Sequence, residues 1–243
     1  MDFPRTISTA QCAFLSCTSV APRLISPDAI ELGNFTSLVV CNNSVGRGSH
    51  GAWQRFERGE ISLFPFYEQF GKDLSDVVSG NEWYKGYCRR NKISKCQLPV
   101  WNQTHDVTLA SLLPIACPLL PESLHVDGRE LFGRMMRESG VFDPHILLAI
   151  QNLRAVQKYR IIALTNNFTR TDSSGDPIPP SELAFLGWDR GGAAPNKLRA
   201  LFDDFIDSSV HGMRKPDPDF YLLACKRNNI KPEEAVFLDD IGM

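Results

Sequence analysis

Two adjacent carboxylates, Asp239 and Asp240, follow the apolar run Ala235-Val236-Phe237-Leu238 and precede Ile241-Gly242. A strand that ends this way presents oxygen ligands at its carboxyl end. Hard dications such as Mg2+ take carboxylate oxygens while keeping waters and a substrate phosphate in the remaining positions. Two other places suit the same chemistry. Thr165 follows Ile161-Ile162-Ala163-Leu164, so its hydroxyl and the backbone N–H of Asn166 fall at a second strand's carboxyl end. Lys215, in Gly212-Met213-Arg214-Lys215-Pro216-Asp217-Pro218, stands just before a helix start, where an ammonium can neutralise charge developing on a phosphoryl group. Each residue alone has an ordinary explanation: Thr forms turns, Lys is solvated, and an Asp pair caps a helix. In the order Thr, Lys, Asp-Asp, with βα units between them, they point to one phosphate-handling site, because parallel strands present their carboxyl ends on one side, where ligands bind.

The elements that must position them are legible from Pro144 onward. Asp143 caps a helix that has Pro144 at its first position and carries Leu147, Leu148, Ile150 and Leu153, and the strand Arg160 to Leu164 follows. A polar loop runs from Thr171 to Ser181. Leu198, Leu201, Phe202 and Phe205 then recur at helical spacing, which predicts a second helix ending near Asp204 and a short strand over 205–209. Asp217 and Pro218 open a third helix with Phe220, Leu223 and Ala224 inward; Pro232 and Glu233 turn the chain into Ala235 to Leu238. This alternation predicts an α/β fold with a doubly wound, Rossmann-like parallel sheet. Residues 52–140 instead carry aromatic residues at helical spacing, with Trp53, Phe56, Phe64, Tyr67, Phe70, Leu131 and Met135 as the expected core of a small bundle. Between Asn91 and Pro121 the pattern gives way to a long irregular loop. The expected organisation is an atypical N-terminal segment 1–50, a helical domain 51–143 and an α/β core 144–243.

Bulk properties narrow the function further. The chain has 243 residues, 43% of them hydrophobic and 22% charged, with a formal charge of -2. This is a globular composition without the basic excess that nucleic acid requires. No run approaches the roughly 20 apolar residues of a membrane span, and Gln11 to Cys17 is too short, and too poorly preceded by basic residues, for a signal peptide. Seven scattered cysteines with no C-x-x-C spacing predict reduced thiols in a cytoplasmic protein rather than a disulfide framework or a zinc site. Sequons at Asn34, Asn42, Asn102 and Asn167 are then without meaning. No signal for the oligomeric state is present.

The segments Trp53 to Ile61, Ala163 to Asn167, Gly212 to Pro218 and Val236 to Gly242 together resemble the haloacid dehalogenase-like (HAD) hydrolase superfamily, in particular the subgroup containing the N-terminal phosphatase domain of soluble epoxide hydrolases. The resemblance covers roughly 51–243. It implies Mg2+-dependent hydrolysis of a small phosphorylated, or halogenated, organic substrate through an aspartyl intermediate. Thr165 and Asn166 match substrate-binding positions, Lys215 matches the cation that holds nucleophile and phosphate, and Asp240 matches the metal ligand, with Asp239 in support. The helical block matches a cap that closes over the site. The family's first motif, a strand ending in Asp-x-Asp or Asp-x-Gly, is not found. The best candidate strand, Cys12 to Val20, has Leu15 and Cys17 where the carboxylates belong, and nothing nearby activates Cys17 or Ser16 as a nucleophile. Relatives also carry Asn or Asp four positions after Asp240, whereas this chain ends three after it. These departures favour an altered gene product, and they leave a second reading beside the hydrolase: a pseudoenzyme whose pocket binds phosphate or a protein partner without turnover. A sheet without its first strand would strand buried backbone groups at about 1–3 kcal/mol each, so 1–40 must supply a replacement strand if the chain is to fold well. No G-x-S-x-G occurs, so the chain is not itself an epoxide hydrolase of the α/β-hydrolase type.

Overall fold

The structure is a computed structural model in which residues 12–15, 47–90, 125–139, 142–171 and 175–238 are described. Among them, four parallel strands form one sheet: β1 (Cys12–Leu15), β2 (Arg160–Thr165), β3 (Asp204–Asp207) and β4 (Ala235–Leu238), in the order β3-β2-β1-β4. The replacement strand thus exists. β1 lies in the centre, with Leu15 opposite Ala163 of β2 on one side and Leu238 of β4 on the other. β3 extends the sheet beyond β2, with Thr165 opposite Asp207.

β2 is an unbroken apolar run because both its faces are covered, as is usual in parallel sheets. Ile161 and Ala163 pack on one face with Ile150 and Phe202. Ile162 and Leu164 pack on the other with Ile206, Phe220, Ala224 and Cys225. Nine helices are described: α1 (Ala52–Glu57), α2 (Leu63–Ser75), α3 (Val77–Arg90), α4 (Gly128–Ser139), α5 (Pro144–Val156), α6 (Pro180–Leu186), α7 (Asn196–Arg199), α8 (Ser208–His211) and α9 (Pro218–Arg227). α5 starts as the sequence predicts, the Asp143 carboxylate accepting from the N–H groups of His145 and Ile146. α9 likewise starts on Asp217, which accepts from Asp219 N–H at 3.0 Å.

Other expectations need correction. The helix expected to end near Asp204 is only α7, one turn long, and β3 begins at Asp204 rather than Phe205. The reason is local: Asp203 crosses to β2, its N–H donating to Ile161 O and its carboxylate accepting from Ile161 N–H, both at 2.8 Å. That pairing pulls the chain into extended geometry. α6 and α8 were not expected at all.

The chain divides into two compact units, Met1–Ala21, Arg55–Phe64 and Gly133–Met243 in one, and Pro22–Gln54 with Pro65–Phe132 in the other. The second has an aromatic core. Phe66 stacks on Phe70 at 5.1 Å and meets Phe132 edge-on at 4.9 Å, and Trp53 closes the group 5.7 Å from Phe70. Phe64, expected inside, is 42% exposed, while Leu63, Phe66, Tyr67, Phe70 and Leu74 are buried. These five follow i, i+3, i+4, i+7 and i+11, and Phe64 sits a full 100° off that stripe. The same one-residue shift puts Phe132 and Met136 inside instead of Leu131 and Met135. Arg47 ties the chain to α2, donating to Asp73 O at 2.8 Å and to the Asp76 carboxylate at 3.1 Å. The expected loop over 91–121 lies outside the described residues.

Candidate functional site

At the carboxyl end of β2 the apolar run stops on Thr165, which is buried and donates weakly to Asn166 O at 3.4 Å. The next side chain turns to the segment between α8 and α9. Asn166 Oδ1 accepts from Lys215 N–H at 2.7 Å and its Nδ2 donates to Lys215 O at 3.1 Å. One amide therefore holds both backbone groups of a residue 49 positions away. Lys215 is only 6% exposed, and its Nζ lies 5.4 Å from the centre of the Phe237 ring on β4.

Asn167 turns the other way, to β3. Its Nδ2 donates to Asp207 Oδ1 at 2.6 Å, its N–H donates to Ser208 Oγ at 2.9 Å, and its Oδ1 accepts from Phe168 N–H at 2.9 Å. The second Asp207 oxygen accepts from Arg199 Nη1 at 2.8 Å, and the Arg199 guanidinium lies 4.3 Å over the Phe205 ring. Ser208 Oγ also reaches Glu57 O at the end of α1, and the Glu57 carboxylate accepts from Arg214 Nε, the residue before Lys215. Each of these two buried carboxylates thus faces an arginine, which offsets the cost of taking its charge out of water. Behind the rim, Phe168 is stacked between Phe56 at 4.9 Å and Trp188 at 6.1 Å.

Of the residues singled out from sequence, Thr165, Asn166 and Lys215 come together at this edge. Asp239 and Asp240 lie outside the described residues. β4 is described to Leu238, which shares a row with Leu15 and Ala163. Among the described residues no group of three or more His, Cys, Asp or Glu side chains gathers as a metal site.

Sequence reasoning missed Glu57, Asp207, Ser208 and Arg214. Asp207 carried a usable signal, a carboxylate ending a strand. The strand expected over 205–209 hides it, because the true strand stops at Asp207. Nothing local marks Glu57, whose partner stands 157 positions on. The Asn167 sequon has a structural counterpart: its amide is buried and committed to Asp207.

A family model described as haloacid dehalogenase-like hydrolase matches residues 99–242. Over 123 residues, 51% of the chain, the protein is 48% identical to bifunctional epoxide hydrolase 2 of Sus scrofa, covering 19% of that protein. Over 225 residues, 89% of the chain, it is 26% identical to acyl-CoA dehydrogenase family member 10 of Mus musculus, covering 15% of it. The chain therefore spans less than a fifth of either relative. Among solved structures it is similar to a HAD family enzyme of Bacteroides thetaiotaomicron in its magnesium complex, with a TM-score of 0.44 and 16% identity over 96% of this chain and 85% of that one. A similar match, with a TM-score of 0.41 and 14% identity over 96% of this chain and 78% of the other, is an L-2-haloacid dehalogenase.

Proposed function

Because the chain belongs to the haloacid dehalogenase-like hydrolase family, we propose that the carboxyl edge of its sheet is a phosphate-handling site acting on a small phosphorylated organic molecule. The observation that carries this is the meeting of Thr165 and Lys215 through Asn166. A hydroxyl, a strand-end N–H and a buried ammonium together match the charge and hydrogen-bonding needs of a phosphoryl group. Asp239 and Asp240 would hold Mg2+ beside it; the ion's part is to neutralise charge on the phosphoryl oxygens. The aromatic helical unit is assigned the role of cap, following the family resemblance, and substrate choice is assigned to it. The odd, scattered cysteine set, which includes the buried free thiol of Cys225, supports a cytoplasmic setting.

A second reading has its own support. β1 is the central strand, the position from which the family draws its attacking Asp, yet Leu15 is followed by Ser16, Cys17, Thr18 and Ser19, with no carboxylate. Without nucleophile and acid/base, binding and electrostatics are what remain, and the site then retains phosphate without turning it over.

One experiment separates the two. Hydrolysis of an aryl phosphate is followed with and without Mg2+, alongside binding of inorganic phosphate. Metal-dependent turnover abolished by Lys215→Ala or Asp240→Ala supports the hydrolase. Phosphate binding lost in Lys215→Ala, with no turnover in any protein, supports the binder. Wild-type protein that neither binds nor hydrolyses sinks both.

A further inference from the structure

A lysine side chain is a flexible stem, so where its ammonium sits depends first on how its backbone is held. Lys215 lies between the end of α8 at His211 and the start of α9 at Pro218, outside any helix or strand. Its N–H and C=O therefore lack a ladder partner although the residue is buried, and buried backbone groups require partners. Asn166 supplies both. Asn carries an acceptor and a donor on one short planar group, whereas Asp offers acceptors only and Ala neither. The amide is itself well placed, since Thr165 is the last residue of β2 and Asn167 is fastened to Asp207 and Ser208 of the neighbouring strand end. The two consecutive asparagines thus divide the work, one facing the Lys215 segment and one facing β3.

We propose that Asn166 is the positioning residue that sets Lys215 at the carboxyl edge of the sheet, a role that deepens the phosphate-handling reading and rests on it for its functional consequence. The ammonium provides its own reporter. With Nζ 5.4 Å from the Phe237 ring centre, the ε-methylene protons of Lys215 carry a ring-current shift, and Phe237→Leu identifies the signal by removing it. The test compares the full chain with Asn166→Ala and with Asn166→Asp, which keeps an acceptor for Lys215 N–H but loses the donor to Lys215 O. It reads the ε-methylene shift and the affinity for inorganic phosphate, with the methyl signals of Ile162 and Leu164 reporting that β2 is intact.

Asn166→Ala is expected to move the ε-methylene signal toward its position in Phe237→Leu and to weaken phosphate binding about tenfold, the size expected for losing the neutral hydrogen bonds that fix the Lys215 backbone. Asn166→Asp should fall between it and the wild type in both. An ε-methylene signal unmoved in Asn166→Ala overturns the proposal. If that variant does not fold, an unmoved signal in Asn166→Asp overturns it equally. Should the wild type bind no phosphate, or Lys215→Ala bind it as well as the wild type does, the phosphate-handling reading fails, and the ε-methylene comparison still decides what Asn166 does to Lys215.

Discussion

The two compact units bury different things. Among the described residues, the aromatic unit has Ala52, Phe66, Tyr67, Phe70, Leu74 and Phe132 inside, and Gln54 is its one buried polar side chain. The sheet unit buries Glu57, Thr165, Asn167, Glu182, Asp207, Ser208, Lys215 and Asn228 alongside its apolar core. Burying polar groups costs free energy unless each finds a partner, and in the sheet unit the partners come from other segments of the chain, with Asn167 and Arg199 on Asp207 and Arg214 on Glu57. Most of these side chains lie at strand ends or in the segment that carries Lys215. The contrast is between a core that stabilises by area and a rim held together by partnered polar groups.

That contrast can be broken, and the largest effect should come from the aromatic side. Phe66→Ala removes a fully buried ring packed on Phe70 and Phe132 and should cost about 3–5 kcal/mol in urea unfolding. Phosphate affinity measured on the folded fraction should stay as it is; a parallel loss would show that the division is false. At the rim, Asp207→Ala leaves Arg199 and Asn167 without their shared carboxylate. It should cost about 2–3 kcal/mol and, unlike the first, weaken phosphate binding severalfold. Gly59 has φ +69, and a Cβ there would run into the Ser209 carbonyl. Gly59→Ala should therefore destabilise by about 1–3 kcal/mol, with circular dichroism melts as the readout.

Acid acts more gently, and on both units, since Asp76 in the aromatic unit and Asp204 in the sheet unit are each held below the usual carboxyl value. At Asp204, burial pushes the carboxyl up, but hydrogen bonds from Arg227 and Asn228, with the Arg227 charge, outweigh it and hold it below its usual value. A carboxyl depressed in the folded protein contributes stability that is fully present above its unfolded pKa and is lost as pH falls through the folded one. Stability should thus decline on acidification, and Arg227→Ala should flatten that decline in unfolding curves taken from neutral pH downward. The smallest effect belongs to the exposed pair Arg134–Glu138 on α4, at 2.9 Å with Arg134 61% exposed. Arg134→Ala should change stability by about 0.3–0.5 kcal/mol, and less in high salt.

Much of the sheet was legible because its signals are local. Asp143-Pro144 and Asp217-Pro218 mark helix starts through caps that need no distant partner, and β2 and β4 are apolar runs between turn residues. Thr165 and Lys215 stood out for the same reason, each at the junction of two readable elements. Where two patterns overlapped, reading failed. Phe205 continues a helical stripe from Leu198 yet belongs to β3, and only the pairing of Asp203 with Ile161 decides between them. Phe64 and Phe66 compete for the inward face of α2, and the arbiter is Phe132, far along the chain. The Glu57–Arg214 pair and the clamp of Asn166 on Lys215 are long-range and polar, so no periodicity announces them. β1 was visible as an apolar run, but its place at the centre of the sheet follows from pairing on both edges.

The commitment of Asn167 to Asp207 also bears on where the protein can be made. A glycan on that nitrogen would have to be attached before folding, and the bulky sugar would then keep the strand ends from closing. In a compartment that glycosylates nascent chains, correctly folded molecules should be the ones that escaped modification at this site, so mass spectrometry of the folded fraction should find Asn167 bare.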